Sequence, residues 1–348
     1  MSIANTTIVI PTHYRHELLS RVLKYYADVD VTVLVADSTK DKFLGEVPKN
    51  CQYFHYPDMS FYKKMISIVS KVTSKYSVMC ADDDFISPRA IENCEQFLEE
   101  NEAYSSAQGN YIVFKFGRHN KLRSYPTWLE TFNYHVEEKQ VDERLKKHFK
   151  NYLQLFYSVH KTEMLRSFFQ DLEDFPAQFN GFLIEYALTL YALSSGKNKC
   201  LPIFYSARQL ILSSGGRSNS SILDLYTDES GLKDIKLITG ICTKRLQLNG
   251  VPEESHQQIM QSTFGKIAEV CRDQKKSGNY KRWRSRAFRK VEEFIPYKVE
   301  TFLRSFLAGP SPFETIKGHK GFPYGSDDQA AEEWKKMVHF ILSFETPK

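Results

Sequence analysis

The sequence predicts an α/β fold: a mostly parallel, Rossmann-like sheet flanked by helices, followed by a helical C-terminal region. Three observations predict it. Short, β-branched apolar runs alternate with amphipathic helical stretches through the first part of the chain. Three of those runs end in polar or acidic residues, at Pro11-Thr12, Asp37-Ser38 and Asp82-Asp83-Asp84. From about Ile222 the pattern becomes helical, which divides the chain into 1–221 and 222–348.

Taken in order, Thr7-Ile8-Val9-Ile10 is a strand stopped by Pro11, which lacks the N–H a ladder needs. His16 to Asp28 places Leu18, Leu19, Val22, Leu23 and Tyr26 at helical spacing. Val31 to Ala36 and Cys51 to Tyr56 read as buried strands, and Met59 to Ser74 as a second helix. Tyr76 to Ala81 is a strand that runs into the three aspartates, and Pro88 opens a helix where its missing N–H does no harm. Ala107 to Phe116, Leu153 to His160 and Ile203 to Ala207 read as further strands, with a basic hairpin or loop at Arg118 to Arg123. Gln178 to Ser195 reads as a helix. Such alternation implies right-handed crossovers. Ligands of such sheets bind at the carboxyl ends of the strands.

Composition narrows the class. The chain has 348 residues, 42% apolar and 26% charged, which suffices for a core without metal or disulfide staples. Disorder, collagen and coiled coil are excluded. The 25 Phe and 20 Tyr suggest deep pockets or an interface as well as core. Cys51, Cys80, Cys94, Cys200, Cys242 and Cys271 stand singly, a poor spacing for zinc or a disulfide framework. Reduced thiols in a cytosolic chain are the expectation. Met1 to Thr12 lacks the pattern of a secretory signal. The longest apolar stretch, Phe182 to Leu193, is interrupted by Glu185 and is too short to span a bilayer. A soluble protein is expected, at most attached to a membrane surface.

Asp82-Asp83-Asp84 is the sharpest motif. Consecutive carboxylates repel one another unless solvent or a cation relieves them. Oxygen ligands suit Mg²⁺ or Mn²⁺, often held by one or two carboxylates plus substrate phosphates. A solvated acidic turn before a Pro-started helix is the bland alternative.

Three stretches together carry a resemblance: Thr7-Ile-Val-Ile-Pro-Thr-His-Tyr-Arg15, Val-Leu-Val-Ala-Asp37-Ser-Thr-Lys-Asp41 and Tyr-Ser-Val-Met-Cys-Ala-Asp82-Asp-Asp84. Their order and content resemble the family 2 type glycosyltransferases of the GT-A fold, in which the third strand leads into a D-x-D motif. The likeness extends more weakly through 152–160, 182–185 and 196–208, where it is similar to a bacterial surface-polysaccharide subgroup. The resemblance implies that Pro11, Thr12 and Arg15 surround a nucleotide and that Asp37 accepts from its base. It implies further that Asp82 and Asp83 sit by the donor, with Asp82 and Asp84 on a Mn or Mg ion bridging the diphosphate. His13-Tyr14 stands where Tyr-Asn is usual, and Ala36 where a second acid is common, so the base stays open.

Glu185 interrupts an apolar run near a helix start, where a carboxylate must be paired, hydrated in a cleft or protonated. An inverting transferase needs one base for the acceptor hydroxyl, and the resemblance puts an acid at about this point. A glutamate favouring the helix dipole is the alternative. His160 ends a strand expected to reach the rim, for metal or diphosphate, or is a satisfied structural histidine. Arg208 could neutralise phosphate or make a surface ion pair. Gly215-Gly216-Arg217 could close over the donor or be a plain connection. Residues 272–290 carry nine Lys and Arg against Asp273 alone, interleaved with Trp283 and Phe288. That suits an anionic membrane surface, a phosphorylated lipid-linked acceptor, nucleic acid or simply solvent.

The reading is a nucleotide-sugar glycosyltransferase acting on a cell-surface glycan, lipid-linked at the cytoplasmic membrane face. A nucleic-acid-modifying sugar transferase, a nucleotidyltransferase and a non-catalytic binding module are the rivals; nucleic acid is not the expected partner.

Overall fold

The computed structural model describes residues 2–116, 122–126, 134–150, 152–175, 181–211, 229–265 and 328–344. Strands are β1 (Ser2–Thr12), β2 (Asp30–Asp37), β3 (Cys51–His55), β4 (Tyr76–Met79), β5 (Phe85–Ile86), β6 (Tyr104–Phe116), β7 (Leu122–Pro126), β8 (His135–Val136), β9 (Val159–Lys161) and β10 (Lys197–Gln209). The first helices are α1 (His16–Tyr26), α2 (Phe61–Val69), α3 (Pro88–Glu100), α4 (Val141–Lys150), α5 (Thr162–Asp171) and α6 (Gly181–Ser195). Among the described residues the strands form one sheet in the order β3-β2-β1-β4-β9-β6-β10-β5, with β7 added to β6 and β8 to β10.

β3, β2, β1 and β4 are mutually parallel, joined by crossovers that include α1 and α2. Alternation along β1 sends Val9 to one face of the sheet and Ile8 and Ile10 to the other. Val9, Leu34 and Met79 pack under α2, α5 and α6, whereas Ile8, Val33 and Val78 pack under α1 and α3. Both faces are covered, so each strand reads as a continuous apolar run. Ser87 caps α3 by accepting from the Ala90 N–H at 3.4 Å.

The expected strand over Leu153 to His160 is shorter and runs the other way. Only Val159–Lys161 pairs, antiparallel to both β4 and β6, which makes the sheet mixed. Leu153 and Leu155 are both buried, Leu155 within the apolar cluster shared with α2, α5 and α6, and a turn from the Ser158 N–H to the Leu155 carbonyl precedes β9. β6 and β10 remain parallel to each other. β4 and β6 both run antiparallel to β9 and so share one direction, which brings the end of β10 to the same rim as β1, β2 and β4.

Helices Glu229–Leu248 and Glu253–Met260 follow, then a π-helical turn at Gln261–Gly265. Ile238, Cys242, Leu246 and Ile259 join the same apolar cluster as α6. The helix Asp328–Phe344 buries Trp334, Met337 and Ile341 against Phe114 and Phe204 of the sheet, and Glu333 accepts from the Ser87 hydroxyl at 2.8 Å. No helix among the described residues is long and apolar enough to cross a membrane. The five described cysteines are buried free thiols. Most of the basic stretch at Arg118 to Arg123, the Gly215-Gly216-Arg217 loop, the boundary at 221/222 and the segment 272–290 lie outside the described residues.

Candidate active site

The rim is built from strand ends. β1 delivers Pro11 and Thr12, paired in register with Ala36 and Asp37 of β2. β4 stops at Met79, and the turn behind it holds Asp82, Asp83 and Asp84, all buried. Arg15, one residue before α1, reaches across to this turn. It grips both Asp82 oxygens, Oδ1 through Nη2 and Oδ2 through Nε at 3.2 Å, and donates from Nη1 to Asp83 at 2.9 Å. The Thr12 hydroxyl adds a 2.6 Å bond to Asp82. Burial nevertheless pushes the Asp82 carboxyl up to about 6, against the attraction of Arg15.

Behind the turn, the buried Arg21 of α1 donates to the Asp83 carbonyl at 3.4 Å and to the Gln209 side chain. The Gln209 N–H in turn donates to Asp84 Oδ1 at 2.9 Å. The end of β10 is thus latched onto the acidic turn. Burial and then the neighbouring Asp83 raise the Asp84 carboxyl well above the usual range, with Arg208 pulling the other way. Arg208 lies between two tyrosine rings, 3.9 Å from the Tyr111 centroid and 4.9 Å from that of Tyr157. Its Nη1 donates to the Gln154 side-chain oxygen, and its buried Nη2 has no hydrogen-bond partner among the described residues.

Glu185 lies in the first turns of α6, half-buried, and accepts from the Tyr152 hydroxyl at 2.7 Å. Burial raises its carboxyl; hydrogen bonds from Tyr152 and Gln154 and the charge of Arg208 oppose the rise. Tyr157 is raised by burial and then by Asp84, Asp83 and Glu185, so these acids share one neighbourhood.

S. aureus TarS 1-349 in complex with UDP-GlcNAc aligns with this chain at a TM-score of 0.51, with 13% identity, over 76% of this chain and 71% of that one. The chain has the fold of TarS. That is the GT-A arrangement expected from the strand-end motifs, and at this identity the likeness is one of fold. Against the longer S. aureus TarS the chain spans 43% of the partner's length, with a TM-score of 0.48. No protein-family model and no curated protein matches the sequence.

On the TarS-like framework Pro11, Thr12, Arg15, Asp82, Asp83, Asp84 and Arg208 gather at one rim, with Glu185 facing Arg208. His160 does not join them. It pairs with Ser77 in the first half of β4, because β9 runs antiparallel and its end points away from the rim. Its Nε2 contacts the Leu155 carbonyl at 2.8 Å, and burial pushes the imidazole down to about 4. Among the described residues no three His, Cys, Asp or Glu side chains form a metal cluster.

Asp37 is at the rim but is not open. Its side chain is fully enclosed, Oδ1 accepting from the Thr39 N–H at 2.8 Å and Oδ2 from the Tyr53 hydroxyl at 2.7 Å, with His16 Nε2 at 2.8 Å. Burial would raise this carboxyl, but the donors together hold it below the usual range. A base N–H would have to displace one of them. Sequence reasoning also missed Lys64 of α2, whose ammonium donates to the Thr12 carbonyl and to Ser38 Oγ at 2.9 Å. The available signal was its spacing: Lys64 and the buried Ile68 are one helical turn apart on the same face.

Proposed function

We propose that the chain moves a sugar from a nucleoside diphosphate donor to a hydroxyl group, with inversion at the anomeric carbon. The observation that carries this reading is the convergence, at one rim, of a buried acidic turn, two arginines and a carboxylate with raised proton affinity. In the proposed displacement the acceptor oxygen bonds to the anomeric carbon while the bond from that carbon to the diphosphate oxygen breaks. Glu185 takes the hydroxyl proton, and the nucleoside diphosphate leaves. A carboxyl raised toward neutral pH suits a base, provided it stays ionised at working pH. The unpartnered Nη2 of Arg208 is available to a phosphate oxygen, where a charge-assisted bond is strong.

The acidic turn fits a divalent cation in its donor chemistry. Asp84 spends one oxygen on the Gln209 N–H, and its charge is disfavoured by Asp83 nearby. Asp84 would hold Mn²⁺ or Mg²⁺, whose chemistry when bound is to offset charge on the leaving diphosphate; Asp82, both of whose oxygens are taken by Arg15 and Thr12, would have to release one of them to join it. His160 is no part of that set. Pro11 and Thr12 would line the nucleoside. The motif resemblance supports a cell-surface glycan, lipid-linked at the cytoplasmic membrane face, as the acceptor.

A thermal-shift screen of UDP-, GDP-, CDP- and dTDP-sugars with Mn²⁺ tests the donor, because a ligand of the folded state raises its stability. One donor class is expected to raise Tm, and its turnover to release a nucleoside diphosphate. Release of pyrophosphate would make the protein a nucleotidyltransferase, and silence with every donor would leave a binding module. Glu185→Gln is expected to retain donor binding and lose about 10²–10⁴-fold in transfer.

A further inference from the structure

The segment between α4 and β9 places two side chains against Glu185. Tyr152 and Gln154 lie two residues apart in that segment. The Tyr152 hydroxyl donates to Glu185 Oε1 at 2.7 Å, and its ring stacks on Tyr186 of α6 with centroids 4.3 Å apart. That stack leaves the hydroxyl little freedom to turn away. Gln154 has two unlike ends. Its side-chain oxygen accepts from Arg208 Nη1, and its side chain lies near enough to Glu185 to favour the ionised carboxylate. An amide whose oxygen faces a guanidinium and whose NH₂ faces a carboxylate is satisfied in one orientation only.

We propose that Tyr152 and Gln154 are positioning residues: Tyr152 fixes the Glu185 carboxylate, and Gln154 ties it to the Arg208 guanidinium. The inference rests on the reading of Glu185 as the base and of Arg208 as the diphosphate ligand. Arg208 is clamped by Tyr111 and Tyr157 as well, so base and phosphate-facing cation form one pre-organised unit. The groups facing Glu185 are Tyr152 and Gln154 from this segment and Arg208 from β10, with Tyr157 and the acidic turn beyond. Both donors favour the ionised carboxylate. Removing either must raise its proton affinity and, with it, the pH at which the base becomes available.

The test is a carboxyl ¹³C NMR titration of the full chain labelled at glutamate, with the Glu185 signal assigned by its loss in Glu185→Gln. In Tyr152→Phe, which keeps the ring stack, the Glu185 midpoint is expected to rise by about one pH unit. Gln154→Leu is expected to raise it as well and, by freeing Arg208, to weaken binding of UDP-GlcNAc or whichever donor the screen selects. Gln154→Glu places a second carboxylate beside the first and should raise the midpoint furthest. An unmoved midpoint in both Tyr152→Phe and Gln154→Leu overturns the proposal. Loss of the base reading itself would show separately, as normal donor turnover in Glu185→Gln.

Discussion

Replacing Lys64 by Met is expected to stabilise the protein at neutral pH. Lys64 is 2% exposed. Burial lowers its ammonium from 10.5 to about 8, even though Asp82 and Asp37 pull upward. A depression of that size amounts to roughly 3 kcal/mol in favour of the neutral amine. The unfolded chain therefore holds this proton more tightly than the folded one. Stability is penalised below about pH 8 and recovers as pH climbs toward 10.5, where the amine is neutral in both states. Met has similar volume and no charge. Its cost is the loss of a donor to the Thr12 carbonyl and Ser38 Oγ, but the Ser38 N–H still donates to that carbonyl at 3.1 Å, and Ser38 Oγ keeps His13 at 3.1 Å. That loss is about 1 kcal/mol. The net gain is about 2 kcal/mol at pH 7, a rise of about 3 °C in a chain of this size. Paired melts of wild type and variant at pH 7 and pH 10 read it directly. The gain should vanish or reverse at pH 10. A variant less stable than wild type at pH 7, or a difference independent of pH, would refute the reasoning.

Arg208→Lys keeps the charge but not the planar group lying between Tyr111 and Tyr157, and is expected to weaken donor binding at least tenfold by calorimetry with Tm little changed. Asp84→Asn keeps an acceptor for the Gln209 N–H and removes a charge that burial opposes; it should fold normally and lose Mn²⁺-dependent turnover, whereas full wild-type activity in excess EDTA would end the metal reading. Asp37→Ala strips acceptors from Thr39, Tyr53 and His16 and is expected to lower stability by about 3 kcal/mol in urea melts; a neutral effect would show that Asp37 is not the hub described. Exchange of Lys281, Arg282, Arg284 and Arg286 for Gln should reduce binding to anionic liposomes, which should itself weaken as salt rises; no binding by the wild type at low salt removes the membrane-surface reading.

What could be read from the sequence follows from how local each signal is. Ile8-Val9-Ile10 and Val33-Leu34-Val35 declare buried parallel strands through composition alone, and the structure encloses all of them. The stretch 153–160 misleads for the same reason. Leu153 and Leu155 alternate like a strand, yet neither pairs in the sheet, Leu155 is buried in the cluster that α5 and α6 share, and β9 pairs with partners distant in sequence. His160 fell with it, since its supposed place at the rim depended on strand direction. Asp82-Asp83-Asp84 was legible because charge directly after an apolar run is conspicuous, whereas Arg15 came only from the family resemblance of Thr7 to Arg15. Lys64 was not, because a lysine in an amphipathic helix ordinarily means solvent. Tyr152 and Gln154 were out of reach, since their partners Glu185 and Arg208 lie 33 and 54 positions away.

The arrangement of charge at the rim is costly in itself, and the proposed donor has the chemistry to offset that cost. Asp82, Asp83 and Asp84 bring three carboxyls into buried positions, and Arg15 engages only the first two. Asp84 is left with an N–H, the more distant pull of Arg208 and a carboxyl whose charge is disfavoured. On the other side Arg208 has one buried N–H group without an acceptor, and Lys64 carries a proton it holds weakly. An apolar ligand would relieve none of these costs. On the proposed reading, a ligand presenting cation and phosphate together would relieve both sides at once, the cation at Asp84 and the phosphate oxygen at Arg208. The latch from Arg21 through Gln209 to Asp84 joins α1, the end of β10 and the acidic turn, and on the proposed reading it would hold the spacing between Asp84 and Arg208. Cutting that latch by Arg21→Met should therefore weaken donor binding although Arg21 itself lies behind the turn. Unchanged affinity in a normally folded Arg21→Met would show that the rim keeps its spacing by other means.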